Sequence, residues 1–300
     1  MPMKMSRGEK IAQYVIVTLL ALLCVSVLYP FLYMLAISLN DGADAAKGGV
    51  YLWPRNFTLI NYEIVLGNET IRNSYLITIG RTVIGTFGGL LVTLLVAFGL
   101  SYRGLPLRST ILGYILLTML FNGGLVPFYI QLNHLGLINT FWVYILPGLF
   151  SVWNMFVMLK FIQGIPEALV ESAELDGAGP VRILMQIIIP LSKPMLAALG
   201  LFTAVGHWND WFAGAFFVTK QNLIPVQTFL QQLLAASDLS AVLGSNSNQE
   251  ALARGSQLQN ITLMSIKMAV VMVSALPILC VYPFLQKYFV KGVLVGSVKG

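Results

Sequence analysis

The sequence predicts an all-α integral membrane protein with six transmembrane helices. Three observations carry that prediction. Hydrophobic residues make up 57% of the chain and charged residues 10%, with a mean hydropathy of +0.79; soluble domains carry roughly a quarter charged residues. Residues 11–40 and 109–159 contain no Asp, Glu, Lys or Arg, whereas about 20 apolar residues cross a bilayer. Basic residues gather in the short connections between these runs, as expected where positive charge stays on the cytoplasmic side. The net charge of +6 is therefore read as membrane topology and not as nucleic-acid binding.

Residues 1–10 form a short basic N-terminus with Lys4, Arg7 and Lys10. The first span covers 11–37, running from cytoplasm to outside. It is too long for a signal-peptide core, and no small-residue cleavage site follows. Pro30 lies in its outer half, where neighbours can satisfy a freed carbonyl. Residues 41–72 form a polar outer segment in which Trp53 and Tyr62 are expected as interfacial anchors. The second span, 75–102, has a surface of Thr82, Gly85, Thr86, Gly88, Gly89 and Thr93, small residues that allow close helix approach. Arg81 near its outer end is expected to snorkel to the headgroups, with a pathway role as the alternative.

Residues 103–108 make a tight basic turn, hence inside. Residues 109–159 are too long for one span and must form a hairpin, with spans at 109–131 and 141–163. The break contains Asn133, His134, Gly136 and Asn139, and His134 is expected to be an exposed loop residue. A polar stretch, 166–190, follows Lys160. Glu167, Glu171 and Glu174 fall at i, i+4 and i+7, one face of a short helix opening near Pro166. The run Asp176-Gly177-Ala178-Gly179 ends that helix, and Pro180 can open a second.

The fifth span covers 192–218. About 25 Å along it from Lys193, near the outer end of the hydrocarbon, lies the cluster Trp208, Asn209, Asp210 and Trp211. Two readings remain open: an interfacial belt with helix–helix hydrogen bonds, or the outer wall of a substrate path with tryptophans stacking on sugar faces. Residues 219–261 form a long polar outer loop, 264–286 the last span, and 290–300 a basic cytoplasmic tail. Assigning Lys4, Arg7, Lys10, Arg103, Arg108, Lys160, Arg182, Lys193, Lys287, Lys291 and Lys299 to the inside places most of the 18 basic residues there. Both termini are then cytoplasmic. Cys24 and Cys280 sit in apolar runs and are expected as buried small hydrophobes. No zinc spacing, Walker lysine motif or glycine-rich dinucleotide turn is present, so no catalytic, cofactor or metal residues are expected.

The pattern Glu171-Ser172-Ala173, three residues, Gly177, nine residues, Ile187-Ile188-Ile189-Pro190 resembles the EAA loop of bacterial ABC importer permeases. The family motif has Ala and Leu where this chain has Ser172 and Ile189. Trp53-Pro54, Phe57-Thr58 and Asn61-Tyr62 are similar to a run in maltose-type uptake permeases, as is the Trp208-Asn209 pair. The resemblance, to the carbohydrate-uptake branch and its Lpl/Ytc-type group, covers nearly the whole chain. It implies the type I ABC importer (MetI-like) permease fold with cytoplasmic coupling helices in the cell membrane. Implied partners are ABC ATPase subunits holding ATP and magnesium, a second permease subunit and an extracytoplasmic solute-binding protein. Residues 219–261 would be a docking element for that protein. Glu171, Ser172, Ala173, Leu175, Asp176, Gly177, Ala178 and Ile183 would form the ATPase-coupling site. Glu171 would supply its charge, Gly177 its turn, and Leu175, Ala178 and Ile183 its apolar contacts. The substrate would be a sugar or oligosaccharide, with another solute as the alternative. An ion-coupled secondary transporter usually needs ionisable groups at mid-membrane depth, and the central thirds of these spans hold almost none.

Overall fold

The structure, a computed structural model, describes residues 6–102, 104–121, 123–235 and 262–297. These form helices and their connections, and one isolated antiparallel bridge joins Asn40 to Phe57. Arg7–Ser38, Glu69–Ser101, Pro180–Asn209 and Leu263–Cys280 are each long and apolar enough to cross a membrane. Two bent helix pairs, Arg108–Leu120 with Leu125–His134 and Phe141–Gly148 with Val152–Gln163, raise the number to six if each is one span. Helix contacts divide the chain into two units, Met1–Glu69 with Gln232–Ala275, and Thr70–Gln231 with Leu276–Gly300.

The first unit opens with α1 (Arg7–Ser38). Ser6 and Glu9 form a reciprocal capping box at its start, satisfying two otherwise orphaned N–H groups. Residues 7–32 are exposed along their whole length, and only the last turn is covered. There Ala36 and Ile37 pack with Val50, Tyr33, Ala45 and Met268. The segment between α1 and the next span is an ordered cap containing α2 (Gly42–Ala46) and α3 (Ile60–Gly67). Asn61 is fully buried, and its Nδ2 donates to the carbonyls of Ser38 at 2.9 Å and Asn40 at 3.0 Å. The Tyr62 hydroxyl hydrogen-bonds the Ser38 hydroxyl at 2.7 Å. Tyr62 is thus half-buried and tied inward, whereas Trp53 is 84% exposed. Asp44 accepts from Asn40 Nδ2 and from Arg55 Nε, both at 3.0 Å. The Asn40 hydrogen bond holds its carboxyl below the usual range, partial burial opposes this, and Arg55 and Lys47 reinforce it.

In the second unit α4 (Glu69–Ser101) is a continuous helix, but the expected hairpin is not two plain spans. Between α5 (Arg108–Leu120) and α6 (Leu125–His134), Gly124 takes a φ of +87°, which no α-helix can contain. Pro127 then fits the first turn of α6, where no N–H partner is needed. The 109–131 span is accordingly broken before Leu125. The returning span starts as two 3₁₀ turns, Phe141–Tyr144 and Leu146–Gly148, and becomes α7 (Val152–Gln163) after a 46° bend. Pro147 supplies no N–H in that region. His134 is exposed at the end of α6.

The fifth span begins well before residue 192. It runs unbroken from α9 (Pro180–Ile183) through a π-helical segment, Leu184–Ile188, into α10 (Ile189–Asn209). In the π-helical segment Ile189 N–H donates to Leu184, five residues back, just before Pro190, which has no N–H to continue the regular ladder. The span stops at Asp210 instead of 218; Phe212–Phe217 is a separate short helix, α11. The region from 219 is not all loop: Val226–Ala235 forms α12, with Val226, Phe229 and Leu233 buried. Residues 236–261, including Asp238 and Glu250, lie outside the described residues, as do Lys4, Arg103 and Lys299. The last helix, α13 (Leu263–Ser297), continues past the expected span end at 286 and through most of the expected tail. Cys24 and Cys280 are both exposed, contrary to expectation; a membrane protein turns apolar side chains outward to lipid, so an apolar run alone does not imply burial.

Candidate functional site

The coupling stretch is a helix–turn–helix seated on a hydrophobic core of the second unit. After Gly164 closes α7, α8 (Glu167–Leu175) starts with Pro166 as its N-cap residue. At its other end Gly177 N–H donates to Glu174 O and Ala178 N–H to Ala173 O, both at 2.9 Å. This pair of bonds is a Schellman cap, and its geometry requires the left-handed φ of +77° that Gly177 adopts. Gly179 caps α9, and Pro180 occupies its first turn.

The turn has two faces. Ile183, Leu184 and Ile188 are buried among Leu94, Ala97 and Leu100 of α4, Met155, Met158, Leu159 and Ile162 of α7, and Leu199 of α10. Val170, Ala173 and Ala178 are half-buried against the same core. Facing away, Leu175 is 90% exposed, with Val181, Met185 and Leu169 also exposed. Glu171, Ser172, Asp176 and Gly177 are exposed. Of the eight residues expected to meet a partner, Ile183 does not qualify: it is only 3% exposed and belongs to the core. Ala173 and Ala178 mainly seat the turn. The outward apolar residues Leu169, Val181 and Met185 escaped the sequence reading, because only the structure shows which side of each helix the core occupies.

A second cluster gathers at the other end of α10. Arg81 of α4 is 1% exposed, so it does not snorkel. Its Nη1 lies 3.3 Å from Asp210 Oδ2, and Nη2 donates to the carbonyls of His207 and Asp210. Its guanidinium also lies 5.1 Å from the centre of the Tyr144 ring. Asp210 Oδ1 accepts from Phe212 N–H at 2.9 Å and Ala213 N–H at 3.2 Å, opening α11. The cluster is close-packed: a Cβ on Gly85 would overlap the His207 imidazole.

Trp208 is buried and packs against Tyr75 with ring centres 6.4 Å apart, so it does not present a free face. Asn209 and Trp211 are exposed. The structure therefore favours the hydrogen-bond-network reading for Trp208 and Asp210. Nearby, Thr228 Oγ1 donates to the Trp211 carbonyl at 2.8 Å, and Val226 N–H donates to Thr78 Oγ1 at 2.9 Å. Asn139 Oδ1 accepts from Thr219 N–H at 2.6 Å and Lys220 N–H at 3.2 Å. No group of three or more His, Cys, Asp or Glu able to hold a metal ion occurs among the described residues.

Residues 89–295, which include the coupling turn, match the family described as binding-protein-dependent transport system inner membrane component. The chain belongs to this family. It is a permease subunit of an ABC importer, with the MetI-like fold, and ATP hydrolysis resides in a separate subunit. Several known proteins are similar along nearly the whole of this chain. Protein LplC of Bacillus subtilis (strain 168) is 38% identical over 273 residues, covering 90% of this chain and 89% of LplC. YtcP of the same organism, a polygalacturonan/rhamnogalacturonan transport system permease protein, is 35% identical and covers 96% of both chains. A crystal structure of a bacterial ABC transporter involved in the import of the acidic polysaccharide alginate contains a chain with a TM-score of 0.86 and 29% identity. That match covers 95% of this chain and 99% of the other. As a member of the family with several apolar helices, the chain is a multi-pass protein of the cytoplasmic membrane.

Proposed function

We propose that this permease carries an oligosaccharide inward across the membrane by alternating access, driven by ATPase subunits that grip its coupling turn. The observation that carries the proposal is the Schellman-capped turn with Glu171 and Leu175 outward and the alanines inward. It offers a compact exposed ridge on a buried seat, a shape suited to a groove. Leu175, with Leu169, Val181 and Met185, would supply the apolar contacts, and Glu171 and Asp176 the charge. ATP and magnesium would bind the ATPase subunits, and this chain would bind no cofactor itself. The charge distribution supports placing both termini and the turn in the cytoplasm. A second permease subunit would complete the pathway, and an extracytoplasmic binding protein would deliver the sugar. Of the expected path residues, Asn209 and Trp211 remain the exposed candidates.

A saccharide substrate is supported by the names of the relatives, and acidic glycans are the first to assay because two of those names specify them. The test is purification of the complex in mild detergent, reconstitution in vesicles, and uptake of labelled oligogalacturonides and neutral oligosaccharides. Uptake should require ATP and binding protein and should persist with ionophores present. Uptake driven by an ion gradient without ATP would refute the proposal.

A further inference from the structure

The coupling turn and the Arg81 cluster lie at opposite ends of one helix. Pro180–Asn209 is continuous over 30 residues, about 45 Å at 1.5 Å per residue. It starts directly after the Schellman turn and ends where Arg81 meets it. The last carbonyls of a helix lack intrahelical donors and carry the negative end of its dipole. Arg81, from a different helix, donates to one such carbonyl, that of His207, and to the carbonyl of the extended capping residue Asp210, while pairing with the Asp210 carboxylate. The other oxygen of that carboxylate opens α11. From there the chain is fastened again, Trp211 by Thr228 and Val226 by Thr78. Arg81 and Thr78 sit one turn apart on α4 and so hold both ends of the connected stretch 210–226.

We propose that Arg81 and Asp210 are a coupling clamp: displacement of the turn at Gly177 travels along Pro180–Asn209 and is delivered through this pair to residues 211–231. Arg81 and Asp210 are positioning residues that set how much transport each ATP turnover yields. This inference rests on the importer reading, which puts the turn inside and residues 211–231 outside. A buried arginine needed only for packing would be replaceable by any group that fills its space. The arrangement seen here spends the arginine's donors on the end of a single moving part and on the carboxylate that starts the next.

The test uses the reconstituted full complex and the ratio of substrate transported to ATP hydrolysed. Asp210→Asn keeps an oxygen for the N–H groups of Phe212 and Ala213 but removes the charge pair. Its ATP hydrolysis should stay within twofold of wild type while uptake falls at least tenfold, with Arg81→Lys intermediate. Thr228→Val, which frees the Trp211 carbonyl further along the same segment, should lower the ratio by a smaller factor. Parallel loss of hydrolysis and uptake in Asp210→Asn, or wild-type uptake, would overturn the clamp. So would failure of Asp210→Asn to assemble together with a wild-type ratio in Thr228→Val. Absence of ATP-dependent uptake in the wild-type complex would instead strike the importer reading itself.

Discussion

Leu175 and Ile183 lie eight residues apart in the same motif, and the structure assigns them opposite roles. Leu175 is 90% exposed at the end of α8, and Ile183, at the end of α9, is 3% exposed in the core. Truncating Leu175 to Ala removes three carbons that touch little within the subunit, so its own stability should change by less than about 0.5 kcal/mol. If the side chain enters an ATPase groove, each buried carbon is worth about 0.8 kcal/mol, giving about 2.4 kcal/mol for complete burial and about 1.2 for half. ATPase binding should then weaken by about 7- to 60-fold. Ile183→Ala should do the reverse, costing about 2–5 kcal/mol of stability through the cavity it leaves. The assay is titration of the ATPase onto permease in nanodiscs, paired with thermal unfolding of the permease alone. Unchanged ATPase affinity in Leu175→Ala, or a melting loss as large as that of Ile183→Ala, would refute the assignment of faces.

Gly177→Ala places a Cβ in a left-handed conformation that the Schellman cap requires, at a cost of about 1–2 kcal/mol; hydrogen exchange should rise at α8 and α9 while the spans stay protected. Asn61→Ala withdraws the donors that satisfy Ser38 O and Asn40 O, worth about 1–3 kcal/mol where buried, and proteolysis should then open the cap between residues 40 and 60. Asp44 titrates below its free value in the folded chain, so its stabilisation is full above about pH 4 and is lost as pH falls through the lower folded value. Acid-induced cleavage of the cap should begin only below about pH 4, and Asp44→Asn should remove that pH dependence.

The coupling stretch could be read in the sequence because its determinants are local. A left-handed glycine, a helix-opening proline and glutamates at helical spacing all act within a few residues. Apolar runs likewise locate membrane segments, since the bilayer responds to composition. What escaped the reading depends on partners distant in the chain. Arg81 meets Asp210 129 residues away, so hydropathy alone left it to snorkel. Asn139 gathers Thr219 and Lys220 from 80 and 81 residues away, and nothing nearby marks it as more than a loop polar residue. Tyr62 followed the statistics of interfacial tyrosines until Ser38 supplied an internal partner. The break at Gly124 was missed for another reason: the uncharged run continues across it, and composition is blind to a backbone angle.

The exposed length of α1 bears on how the subunit comes into being. Within the first unit, no described residue covers 7–32, and lipid offers apolar side chains as good an environment as another helix does. The helix can therefore enter the bilayer as soon as it is synthesised and wait there, complete, while the remaining 260 or so residues are made. Its side chains cannot signal whether that later folding has succeeded. Quality control of a newly made subunit would have to inspect other parts of the chain.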